Sequence, residues 1–294
     1  MKYKKNIKNI CHLIGFTLLS VKEVQIDDRF RIRELLPSEL KSLESIYKQS
    51  APYYTCKGKS SRFCIENLEE IDKWKLSSEI DKIIIAMWLF SNKSISKGAL
   101  IREPAPVSGI YLILDSPRCI WGQGVWQVTD LEIKNFIDFW NVIKNKDLSP
   151  NNISIRYFKK AMCSITQDDS LVYLTIAMEN ILLPKEDREL RYKFSLRAAL
   201  ILSEKFEIRQ KIKDIFKKVY DSRSKIVHGV EPKVYRGDFL IYFHLCRKII
   251  CIYLENKHKW NKLLLDELTL GNNKLSYGVV KYLSDQKNQH IDLR

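Results

Sequence analysis

Arg223 and His228 are the pair of side chains in this sequence best suited to chemistry at a phosphate, and they close the string Tyr220-Asp221-Ser222-Arg223-Ser224-Lys225-Ile226-Val227-His228-Gly229. An arginine guanidinium is a permanent planar cation whose fork matches phosphate oxygens. A histidine, with a reference pKa of about 6.5, can take or give a proton near neutral pH. At about 100° per residue, five helical positions set the two side chains about 140° apart, so one face of one helix cannot present both. Gly229 can relieve this by ending the helix in a left-handed cap that swings His228 off the axis, and a second protomer can bring another Arg/His pair to the same groove. Two plainer roles compete. A histidine in the last helical turn is favoured by the helix dipole whether or not it does chemistry, and Arg223 can serve as an ion-pair partner for Glu179 or Glu189.

The helix that must carry these residues is read at 206–227, where Ile208, Ile212, Ile215, Val219, Ser222 and Ile226 follow three- and four-residue spacing. Its other side is basic: between Glu204 and Lys225 eight Lys or Arg face four acids. Lys213, Lys217, Lys218 and Lys225 are the candidate phosphate contacts, against the common alternative of a merely solvated helix face. Around this helix the pattern predicts others at 130–145, 152–164, 169–183, 188–204, 236–256 and 259–269, with Thr129 and Glu132 forming a capping box at the first. Pro184, Gly229 with Pro232, and Gly271 punctuate them.

Before about residue 125 the pattern is mixed. Phe30–Leu36 is a short apolar run, 68–90 reads as helical and 109–114 as a strand. Pro104, Pro106, Gly109, Pro117, Gly122 and Gly124 supply turns, and Trp121, Val125 and Trp126 the apolar face of a last strand. The expected fold class is therefore α+β overall: a mixed α+β N-terminal domain over 1–128, then an all-α helical bundle over 129–294.

Composition narrows the classes. A hydrophobic share of 45% with only 10 Gly and 8 Pro suits a packed globular chain. The formal charge of +15 points to partners that carry phosphate, nucleic acid or a membrane surface, against the alternative of a solvated basic surface in a lysine-heavy protein. No apolar run approaches the roughly 20 residues of a membrane span, and the run Ile10–Val21 after the basic start is interrupted by His12 and Gly15. Seven cysteines without framework spacing read as reduced thiols in a cytoplasmic protein, and Cys56 and Cys64 lack the further ligands a zinc site needs. There is no Gly-rich phosphate loop, GxSxG elbow or HExxH, and no cofactor or metal is expected.

The Arg-x4-His string resembles the signature of HEPN domains, helical bundles that include many metal-independent ribonucleases of bacterial toxin and defence systems. Upstream, Leu174-Thr175-Ile176-Ala177-Met178-Glu179-Asn180-Ile181-Leu182, then Glu189-Leu190-Arg191-Tyr192 and Leu196-Arg197-Ala198-Ala199, resemble the Apea-like branch of that family, in the same order. The resemblance covers about residues 150–255. It implies an RNA endonuclease acting as a homodimer, with Arg223 and His228 catalytic in a site composed across two protomers. Cutting RNA without a metal needs a base for the 2′-hydroxyl, an acid for the leaving 5′-oxygen and a cation for the phosphate, and leaves 2′,3′-cyclic phosphate and 5′-hydroxyl ends. Ser224, Asp221, Glu179 and Arg197 are the supporting candidates. Glu179 sits among apolar residues, where a carboxylate needs a partner, and Arg197, flanked by Ala and Leu, is its natural mate; both read first as a core polar network. The N-terminal half would sense a trigger or present RNA, and an antitoxin or a phage-derived trigger is a further candidate partner. Ser224 stands where many active members carry Asn or Asp. It favours the rival reading of a non-catalytic RNA or nucleotide binder, or a regulatory dimer partner in a toxin–antitoxin or defence system.

Overall fold

The computed structural model describes residues 8–50, 62–69, 73–91, 93, 95–103, 110–111, 125–230 and 234–283. The chain forms two compact units, Met1–Asn141 and Val142–Arg294.

The first unit holds β1 (Lys8–Ile14), β2 (Phe16–Leu18), β3 (Glu23–Gln25), β4 (Phe30–Glu34), α1 (Pro37–Ser50), β5 (Phe63–Asn67), α2 (Lys73–Phe90), β6 (Ser96–Glu103), β7 (Ile110–Tyr111), β8 (Trp126–Val128) and α3 (Asp130–Ile143). Six strands make one antiparallel sheet in the order β3-β4-β5-β1-β6-β7, while β2 and β8 pair in parallel. The apolar run after the basic start is thus strand, with Ile10, Leu13, Phe16 and Leu18 buried. The helix expected over 68–90 spans Lys73–Phe90, and the strand β5 that lies between β4 and β1 ends at Asn67. Most of the Pro- and Gly-rich stretch between 104 and 124 lies outside the described residues, as does Trp121.

The capping box forms as expected: the Thr129 N–H donates to the Glu132 carboxylate at 3.0 Å and the Glu132 N–H to the Thr129 hydroxyl at 3.3 Å. Helix α3 nevertheless belongs to the first unit. Phe136 meets the rings of Phe90 and Trp126, Phe139 meets Phe90, and the Trp140 indole N–H donates to Asp27 at 2.8 Å. The compact units accordingly divide at Asn141, one helix beyond the change of sequence pattern at 128.

The second unit is helical: α4 (Ile153–Met162), α5 (Gln167–Leu182), α6 (Leu190–Leu202), α7 (Phe206–Val227), α8 (Arg236–Asn256) and α9 (Lys262–Thr269). Helix α8 is buried along most of its length, and its Tyr242 and Phe243 meet Phe216 of α7 and Phe158 of α4. Aromatic pairs of this kind add about 0.5–1.5 kcal/mol each beyond area burial. Phe194 of α6 packs on Phe216 with ring centroids 5.4 Å apart. The fold is α+β, with its sheet in the N-terminal unit and a helical C-terminal region.

Candidate active site at the end of helix α7

Helix α7 buries Ile212, Val219 and Ser222 of the stripe that its spacing predicts, together with Phe216, while Ile208, Ile215 and Ile226 are only half-buried. The helix ends in a six-residue cap. His228 occupies the terminal position, Gly229 takes φ +71°, the Gly229 N–H donates to the Ile226 carbonyl at 3.0 Å and the Val230 N–H to the Lys225 carbonyl at 2.8 Å. A left-handed residue costs glycine nothing, and these two bonds satisfy carbonyls that would otherwise lack partners.

Arg223 points from α7 toward α5. Its Nη2 lies 3.6 Å from Oε2 of Glu179, beyond hydrogen-bond length, and both side chains are partly exposed. The Arg223 Nε is shielded from solvent and has no hydrogen-bond partner among the described residues. Burial raises the Glu179 carboxyl above its ordinary value, and the Arg223 charge only partly offsets this. Tyr220, packed on Phe194 at 5.2 Å, completes the constellation: burial raises its phenol, and the Glu179 charge raises it further.

His228 is exposed, and its ring has no hydrogen-bond or ion-pair partner among the described residues. Arg223 is therefore brought together with Glu179 and Tyr220, and among the described residues it forms no hydrogen bond or ion pair with His228. Ser224 and Lys225 are exposed beside the motif. Asp221 is engaged by Arg191 of α6, an exposed pair at 2.5 Å that raises Arg191.

Arg197 is not the mate of Glu179. It is buried and donates to the Leu182 carbonyl at 2.8 Å, to Glu186 at 2.8 Å and to Asp266 at 2.5 Å. The spacing of α6 carries its side chain to the chain segment after α5 and to α9, so Glu179 is left to Arg223. The Glu186 side chain is covered by its cation partners; Lys193 first, then Arg197, hold its carboxyl down to about 2. Arg197 thus joins a core polar network, as its flanking residues suggest, but one built on Glu186.

The basic face is partly committed. The Lys213 ammonium lies 5.2 Å from the centre of the Tyr192 ring, and Lys218 pairs with Asp238 and lies 5.3 Å from the Tyr235 ring. Lys217 and Lys225 have no such partners among the described residues. Tyr220 was legible as the residue three before Arg223. Glu186 and Asp266 carried no local signal, since their roles arise from packing of segments distant in sequence.

Among the described residues no group of three His, Cys, Asp or Glu side chains could hold a metal ion, and no helix is long and apolar enough to cross a membrane. Cys11, Cys64, Cys246 and Cys251 are buried thiols, and burial pushes Cys11, Cys64 and Cys251 up to about 12, away from thiolate reactivity. Cys56 and Cys119 lie outside the described residues. Compared with models of known protein families, with curated proteins and with solved structures, the chain gives no match.

Proposed function

We propose that the chain is a metal-independent endoribonuclease of HEPN type, acting in the cytoplasm as a homodimer in defence or toxicity. The observation that carries the reading is the placement of His228: an exposed imidazole, without a partner among the described residues, at the capped end of a lysine-rich helix. An imidazole so placed can reach a 2′-hydroxyl brought to it by phosphates held on the lysines, and take its proton. Arg223 supplies the permanent cation, and partial release from Glu179 turns its fork to the phosphate. Because five helical positions set Arg223 and His228 about 140° apart, the arginine and the acid for the leaving oxygen are assigned to the pairs of two protomers meeting at one groove.

The deciding experiment is incubation of the purified protein with cellular RNA in EDTA. Cleavage to 2′,3′-cyclic phosphate and 5′-hydroxyl ends is expected; a requirement for a divalent metal would overturn the mechanism.

The second reading keeps RNA binding and drops catalysis, as a nucleotide binder or a regulatory partner controlled by an antitoxin or a phage-derived trigger. The Arg223–Glu179 pair within one protomer favours it, since a neutralised arginine is a poorer phosphate ligand.

A further inference from the structure

On the α4–α5 side of the helical unit, two tyrosines and two cations form a cluster that the Arg223 and His228 chemistry does not use. Tyr157 of α4 and Tyr173 of α5 hold their ring centroids 6.1 Å apart at a 39° tilt, both rings half-buried. The Lys160 ammonium lies 5.0 Å from the Tyr157 ring centre and 5.6 Å from that of Tyr173, and the Arg156 guanidinium lies 5.5 Å from the Tyr157 ring centre. Arg156, the residue before Tyr157, and Lys160, about one turn after it, stand four residues apart on α4, and both are exposed.

An exposed Lys or Arg commonly settles on a carboxylate. Among the described residues neither Arg156 nor Lys160 has one, so their charges remain available over the aromatic surface. The rings cannot drift, because Ile155, Phe158 and Met162 fix α4 in the core. The chemistry of such a patch is selective. An acidic peptide would use the cations and ignore the rings, and an alkylammonium would use the rings and be repelled by the cations. A nucleotide uses both, its base stacking on a ring face and its phosphate meeting the guanidinium and ammonium.

We propose that Tyr157, Tyr173, Arg156 and Lys160 form a nucleotide-binding platform that takes one base with its phosphate. The platform stands on its own residues and does not depend on catalysis at His228. Two sources carry this chemistry, a nucleotide within a single strand and a free mononucleotide.

Two probes separate them: a fluorescein-labelled 2′-O-methyl oligoadenylate, which offers bases and phosphates but no 2′-hydroxyl to cut, and adenosine 5′-monophosphate as competitor. The full chain is compared with Tyr157→Leu/Tyr173→Leu and with Arg156→Gln/Lys160→Gln. Each double variant is expected to weaken oligonucleotide binding about tenfold. Competition by the mononucleotide in the unaltered chain identifies a site for free nucleotide, and its failure identifies a site for a strand. If the tyrosine variant misfolds by circular dichroism, the Arg156→Gln/Lys160→Gln protein decides, since it alters only exposed cations. Unchanged affinity for both probes in a folded variant, or no binding by the unaltered chain, overturns the platform. RNA cleavage that persists in such variants would leave the ribonuclease reading standing, and platform binding without any cleavage would leave the platform standing.

Discussion

Arg223 of α7 and Glu179 of α5 face each other at 3.6 Å, the cation of the Arg-x4-His string turned inward onto a carboxylate that burial has made reluctant to ionise. If Arg223 meets phosphate as proposed, the pair acts as a brake on it. Partly exposed pairs are worth about 0–1 kcal/mol, small enough for an incoming phosphate to compete.

Glu179→Gln should therefore raise RNA affinity up to about fivefold while changing stability by less than about 1 kcal/mol. The sign of the pH effect follows from the raised carboxyl: the ionised form costs stability, and that cost is relieved as pH falls through the raised value. Protonation also frees Arg223, so lowering the pH should carry the unaltered protein toward the affinity of Glu179→Gln. Fluorescence anisotropy on both proteins across an acid titration tests this, and parallel curves would refute the brake.

His228 separates catalysis from capping. As a cap alone, His228→Ala would lose about 0.3–1 kcal/mol and cut RNA normally. As the proton-transfer group it should lose about 10²- to 10⁴-fold in cleavage with the fold intact. Arg223→Ala should do likewise and also bind RNA more weakly. Mixing the two inactive proteins should restore part of the activity through heterodimers, since one groove then holds an intact arginine and an intact histidine. A clean monomer by light scattering that still cuts would rule out the shared site.

Binding should weaken steeply with salt, by about 0.7 in log affinity per log salt for each phosphate neutralised on a single strand. Lys217→Glu and Lys225→Glu should reduce this slope more than Lys218→Glu, because Lys218 already spends its charge on Asp238. Equal effects at all three positions, or none, would show that the face is only solvated.

The interior network gives a stability prediction independent of RNA. The Glu186 carboxyl, ordinarily near 4.5, is held at about 2, chiefly by Lys193 and then by Arg197. Its contribution is fully present above the ordinary value and is lost as pH falls through about 2. Glu186→Gln should flatten the acid limb of the stability curve. Arg197→Ala, which removes the buried donor to the Leu182 carbonyl while Glu186 keeps Lys193, should cost about 1–3 kcal/mol in denaturant unfolding. A loss under about 1 kcal/mol would place the network outside the folding core.

The sequence by itself determined the helical unit nearly to the residue. Helix α7 spans Phe206–Val227 and α8 spans Arg236–Asn256, as the spacing of apolar residues and the Gly229 stop require. Periodicity and caps are local, so one stretch of chain carries the whole signal. The strands of the first unit were harder to read: β1 and β5 are short and mix apolar with polar residues, and their pairing joins residues far apart in the chain. Which carboxylate meets which arginine was decided only by the tertiary structure. The sequence offered Glu179 both Arg197, for its apolar flanks, and Arg223; the packing of α6 against α9 carries Arg197 to Glu186 and Asp266, and that of α5 against α7 gives Glu179 to Arg223. A charged side chain long enough to choose among several partners is assigned by helix packing, which no local pattern encodes.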